Sequence, residues 1–252
     1  MMVVYRCRDT LESIFTAVYM VYEEHRDRNK VFLSLDMDPM LFAEEVTVTE
    51  NRTKWEKVIR TLKGKFGQED YEKLCMALTA PAEDKGQAVL RTIIAGIDGK
   101  AFPGHLFDNL SDPDVNRAFK LALGASRENC HLRGFTRFEE LRNGILYGQI
   151  TPKHNILPYL MEHFSDRFPQ ENFLLYDTGR KIYGVHSATE SWYLVRETEM
   201  DPAILEKSEK EDKYQALFKR FCNLYGIKER ENRNLQRNML PLRFRGDMTE
   251  FQ

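Results

Sequence analysis

Three short extended segments, residues 172–176, 181–185 and 192–196, constrain the fold of this chain most. Each is rich in aromatic or β-branched residues and only turn residues separate them, so the simplest arrangement is an antiparallel meander. Helical periodicity dominates elsewhere. Leu11, Ile14, Phe15, Val18, Tyr19 and Tyr22 make one apolar stripe over 10–25, with Asp9 as the expected cap and Glu12 as its capping-box partner. Trp55, Val58, Ile59 and Leu62 begin a second helix that runs to Gly64, and further helices are expected at 68–78 and 84–97.

Val3–Cys7, Val31–Leu35 and Glu45–Thr49 read as strands, and 145–150 as a strand or extended connection. Ser111-Asp112-Pro113 opens a long helical region expected to reach Arg142, with Gly124 or Gly134 bending or dividing it. Shorter helices are expected at 155–166, 211–224 and 229–238, with a polar, irregular tail after Leu240. The fold class is therefore α+β, predominantly helical with short antiparallel strands. A division between an N-terminal α/β region, 1–84, and a C-terminal α+β domain, 85–252, fits this order.

A chain of 252 residues with 42% hydrophobic and 30% charged residues can bury a core. No apolar run is long enough to cross a bilayer, and Arg6 and Arg8 come too early for a secretory signal. Cys7, Cys75, Cys130 and Cys222 include no close pair, as expected of thiols in a reducing cytoplasm. The histidine spacings match no compact zinc motif, and no glycine-rich phosphate loop, Gly-x-Ser-x-Gly elbow or iron–sulfur cysteine triplet is present. No cofactor is expected on this chain.

The net charge of −2 does not advertise nucleic-acid binding, but its distribution is uneven. Glu197–Asp212 carries seven acidic residues against two lysines, and Lys228–Arg245 carries six basic residues against two glutamates. A local basic patch can bind a phosphate backbone whatever the overall charge. Two segments have suitable residue types. Arg127–Phe138 interleaves Arg127, Arg133 and Arg137 with His131, Phe135 and Phe138, so that guanidinium groups could pair with phosphates while rings pack or stack. Arg230, Arg233 and Arg237 recur near helical spacing, and Arg243 and Arg245 flank Phe244.

The same patterns also describe core phenylalanines with arginines paired to Glu139 and Glu140. His131 and His154 are candidates for proton transfer, with Glu128 or Asp177 as orienting carboxylate, because the reference histidine pKa of about 6.5 suits that work. A hydrogen-bonded structural histidine is the alternative for each.

In order along the chain, Glu128, His131, Arg133, Gly134, Phe135, Arg137 and Phe138 are followed by Tyr147, His154, Phe164, Arg167, Phe168 and Asp177. Met239, Pro241, Arg243 and Phe244 close the series. This order resembles a bacterial DNA metabolism or repair family carrying the domain of unknown function DUF4130, over roughly residues 85–245. Leu132 stands where that pattern has arginine, Leu240 separates Met239 from Pro241, and Phe244 replaces a tyrosine. Roles needing that arginine or that hydroxyl are not carried over.

The resemblance implies a cytoplasmic DNA-binding accessory component of a repair or modification system, working with a radical S-adenosylmethionine protein. Any radical chemistry would belong to that partner. The alternatives are a catalytic DNA-processing enzyme using histidine acid–base chemistry and a protein-interaction scaffold.

Overall fold

Strand β1 (Met2–Arg6) is apolar over Val3, Val4 and Tyr5, all buried, which suits a strand covered on both faces. It is the centre of a parallel three-stranded sheet of order β2-β1-β3, flanked by β2 (Val31–Ser34) and β3 (Ala43–Thr47). Helix α1 (Leu11–Glu23) makes the β1-to-β2 crossover that parallel neighbours require. The computed structural model describes residues 2–35, 41–200, 205, 206, 208, 210–225 and 232–251.

The cap of α1 is Thr10, whose hydroxyl accepts from the Ser13 N–H at 3.1 Å, and not Asp9 as the sequence suggested. Asp9 instead pairs with the almost fully buried Lys85, whose ammonium also donates to the Ala80 carbonyl at 2.8 Å. Helix α2 (Arg52–Leu78) joins the two helices expected at 53–64 and 68–78, with a break at Gly67, where φ is +83°. Glycine adopts that conformation without a Cβ penalty. With α3 (Lys85–Asp98), the helices close a core that includes Phe15, Leu62, Phe66, Leu74, Leu90 and Ile93.

The chain divides into two compact units, Met1–Ser126 and Arg127–Gln252. The boundary lies inside α4 (Pro113–Phe135). Among the described residues, no helix is long and apolar enough to cross a membrane.

The second unit is built on a sheet of order β4-β5-β6-β7-β8: β4 (Phe138–Glu140), β5 (Leu146–Ile150), β6 (Phe173–Asp177), β7 (Ile182–His186) and β8 (Tyr193–Arg196). β6, β7 and β8 are the antiparallel meander expected from the sequence. β5 and β6 run parallel, joined through α5 (Leu157–Arg167). Gly184 lets α5 approach closely, because a Cβ there would lie 2.2 Å from the Met161 sulfur.

Helix α4 stops at Phe135 instead of reaching Arg142. Both the Thr136 N–H and its hydroxyl bond the Leu132 carbonyl, and the chain then enters β4. The Phe138 ring meets Phe164, Phe168 and Phe173 edge-on at 5.1, 5.9 and 5.7 Å. Burying that ring against α5 and β6 outweighs continuing the helix. The unit continues with α6 (Glu211–Tyr225), α7 (Arg233–Met239) and 3₁₀ turns over Leu242–Asp247 and Thr249–Phe251. The tail is thus less irregular than expected, and it buries Phe244 and Met248.

Candidate functional site

Glu128 and His154 come together in the second unit. Glu128 sits on α4 with its side chain 1% exposed, and His154 lies in the loop before α5. One carboxylate oxygen of Glu128 accepts from the His154 backbone N–H at 2.9 Å and lies 2.6 Å from the imidazole Nδ1. The Arg243 guanidinium stands 3.1 Å from the other oxygen. Burial alone would raise the Glu128 pKa, but the His154 imidazole, the backbone N–H groups of His154 and Lys153, and the charge of Arg243 together lower it from 4.5 to about 2. The carboxylate therefore stays ionised and fixes the ring through Nδ1. No partner to Nε2 is found among the described residues.

The loop carrying His154 is held by a residue that the sequence did not single out. Arg180 donates to the carbonyls of Pro152 and Lys153 at 3.2 and 2.8 Å, and to Asp177 at 3.1 Å. Asp177, fully buried at the end of β6, also accepts from the N–H groups of Gly179 and Arg180. Asp177 is thus the anchor of the β6–β7 turn and bears on His154 only through Arg180. The Asp-Thr-Gly-Arg run between two strands was the available signal, since an aspartate there favours an Asx turn.

His131 stands apart from the carboxylates, in a group of rings. It stacks on Phe135 at 5.5 Å and meets Phe244 edge-on at 5.6 Å, while Phe135 and Phe244 are 5.5 Å apart. Arg243 lies over the Phe244 ring at 4.5 Å, so one guanidinium joins the ring group to Glu128. His163 packs edge-on against its neighbour Phe164. Burial, Arg133 and Arg167 lower its pKa.

The arginines separate into two kinds. Arg127, Arg133, Arg233 and Arg237 are exposed, and none has a charged or hydrogen-bonding partner among the described residues. Arg137 is committed: it pairs with Glu250 at 2.7 Å and donates to the Gly134 carbonyl at 2.9 Å. Arg245 donates to the Leu240 carbonyl and covers the Phe251 ring. Phe138 belongs to the aromatic core and Phe244 is buried. Arg230 lies outside the described residues.

Among the described residues, no group of three or more histidine, cysteine, aspartate or glutamate side chains is placed to hold a metal ion. Comparison with curated proteins and with solved structures gives no match. A family model described as a domain of unknown function, DUF4130, matches residues 83–250. That span covers both carboxylates, all three segments that suggested the resemblance and nearly all of the second unit; the chain belongs to the DUF4130 family.

Proposed function

We propose that residues 127–252 bind DNA as an accessory component of a bacterial repair or modification system that works with a radical S-adenosylmethionine protein. The observation that carries this reading is the His131–Phe135–Phe244 ring group with Arg243 upon it, in a unit whose Arg127 and Arg133 are exposed and unpaired among the described residues. Guanidinium groups free of internal partners can meet phosphates, and the partly exposed rings of His131 and Phe135, backed by the buried Phe244, can meet bases. Arg233 and Arg237 add positive charge on α7. The partner would supply any radical chemistry, since the four cysteines of this chain are far apart in sequence.

Titration of single-stranded, duplex and damaged DNA across salt concentration tests the binding. Each phosphate contact contributes about 0.9 to the log–log salt slope on duplex DNA. Arg127→Ala and Arg133→Ala should each flatten that slope by nearly one and weaken binding to all sequences similarly. Absence of DNA affinity at low salt, for the chain alone and with its copurified partner, rules the proposal out. Affinity isolation with and without nuclease identifies that partner and separates DNA-bridged from direct association.

Proton transfer at bound DNA is a second reading, favoured by the Glu128–His154 pair. A buried ionised carboxylate orienting an imidazole through Nδ1 leaves Nε2 as the working atom of a general acid or base. Product-resolved assays on modified oligonucleotides test it. Unchanged turnover in His154→Ala removes this reading and leaves DNA binding intact.

A further inference from the structure

The first unit holds a cleft that DNA binding by residues 127–252 leaves unused. Helices α1, α2 and α3 converge on it, and its volume is about 660 Å³, within the roughly 300–1,000 Å³ of small-molecule sites. Each helix presents apolar side chains one turn apart: Val18 and Tyr22, Val58 and Leu62, Ile93 and Ile97. Val18, Val58, Leu62 and Ile93 are buried and make the floor, while the Tyr19 and Tyr22 rings are partly exposed in the wall. The apolar lining extends little more than one turn, about 6 Å, along any helix axis. A space of this volume over so short a length is broader than it is long, and it suits a compact ring system better than an extended acyl chain.

The polar lining is one-sided. The Thr61 hydroxyl is spent on the Lys57 carbonyl at 2.8 Å, and the Tyr22 hydroxyl is buried away from solvent. Lys57 and Arg60 remain. Lys57 reaches the Tyr19 hydroxyl at 3.5 Å and makes no ion pair among the described residues, where Arg60 has no charged or hydrogen-bonding partner at all. No carboxylate lines the cleft among those residues. The acids next in sequence to its lining are committed elsewhere: Glu23 to Lys54, Glu56 to Arg52 and Asp98 to Arg28.

An apolar body placed here leaves water, while a single negative group can stay solvated at the rim before both cations. A cationic ligand would meet two like charges. A sugar or nucleobase would bring hydrogen-bonding groups that the floor does not answer. We infer that this cleft binds a compact aromatic carboxylate, with its rings between the three helices and its carboxylate toward Lys57 and Arg60. This site is separate from the DNA reading, which concerns the other unit.

The full chain is titrated by isothermal calorimetry with naphthoate, benzoate, naphthylmethanol and naphthylmethylamine. Naphthoate should bind at least about tenfold more tightly than benzoate, because the second ring buries further apolar surface. It should bind about fivefold more tightly than the uncharged alcohol, the scale of exposed ion pairs, and the amine should bind most weakly. Replacing both cations, Lys57→Gln with Arg60→Gln, should bring naphthoate and the alcohol to equal affinity with the alcohol's own affinity unchanged. Thr61→Trp, at an exposed position of the wall, should fill the cleft and weaken both ligands at least about tenfold with the circular dichroism spectrum unchanged. No binding, no gain from the second ring, a preference for the alcohol or the amine, or indifference to these substitutions overturns the inference. Decanoate binding more tightly than naphthoate overturns it as well, since a long flexible chain would then be the better fit.

Discussion

Replacing Glu128 by glutamine tests the energetics of the central network directly. A carboxyl group moved from 4.5 to about 2 has its ionised form favoured by about 3 kcal/mol, at 1.36 kcal/mol for each factor of ten. The folded value lies below the unfolded one, so this stabilisation is complete above about pH 4.5, declines as the solution is acidified, and is lost as pH falls through about 2. Glutamine keeps the shape and can still bond the His154 backbone N–H, but it carries no charge for Arg243 or the imidazole.

Glu128→Gln should therefore lower stability by about 3 kcal/mol at pH 7 and by about half as much at pH 3. The chain has two tryptophans, Trp55 in the first unit and Trp192 in the second. Urea unfolding followed by fluorescence in a Trp55→Phe background thus reports the unit that holds Glu128. A gap between parent and variant that does not change from pH 7 to pH 3, or one below about 0.5 kcal/mol at pH 7, would refute the reasoning.

His154→Ala leaves the buried Glu128 carboxylate short of its shortest partner, and should cost about 2–3 kcal/mol in the same urea assay. Gly184→Ala places a Cβ against the Met161 sulfur and should destabilise by about 1–3 kcal/mol, measured as a lowered urea midpoint. Gly134→Ala meets nothing within 4 Å on a helical backbone, so it should stabilise by about 0.5–1 kcal/mol in the same experiment. Arg137→Ala should reduce thermal stability through loss of the Glu250 pair, whereas Arg133→Ala should leave the melting temperature within about a degree of the parent.

The β6–β7–β8 meander was legible because turn residues punctuate it and each strand is short. Helix α3 was equally plain, as its apolar residues recur at helical spacing between breakers. Overrun of α4 had a definite cause: Phe135 and Phe138 continue a helical pattern, and only the cluster of Phe164, Phe168 and Phe173 shows why the chain turns into a strand between them. Thr10 and Asp9 are adjacent residues, both able to cap, and Lys85 decides which one does so. The parallel first sheet depends on long-range pairing that alternation cannot express. In the site, the residue types were readable but their grouping was not. Glu128 and His154 are 26 residues apart, His131 turned to the rings, and Arg243 pairs with a carboxylate besides covering Phe244.

The turns after α7 bring a further consequence. They supply Arg243 to Glu128, Phe244 to His131 and Phe135, and Glu250 to Arg137, the last across 113 residues of chain. During synthesis, α4 and the sheet leave the ribosome long before these turns do. Until then Glu128 waits without its guanidinium and Phe135 without one of its rings, so the ring group is open to other apolar surfaces. The late-emerging segment acts as a keystone of the second unit.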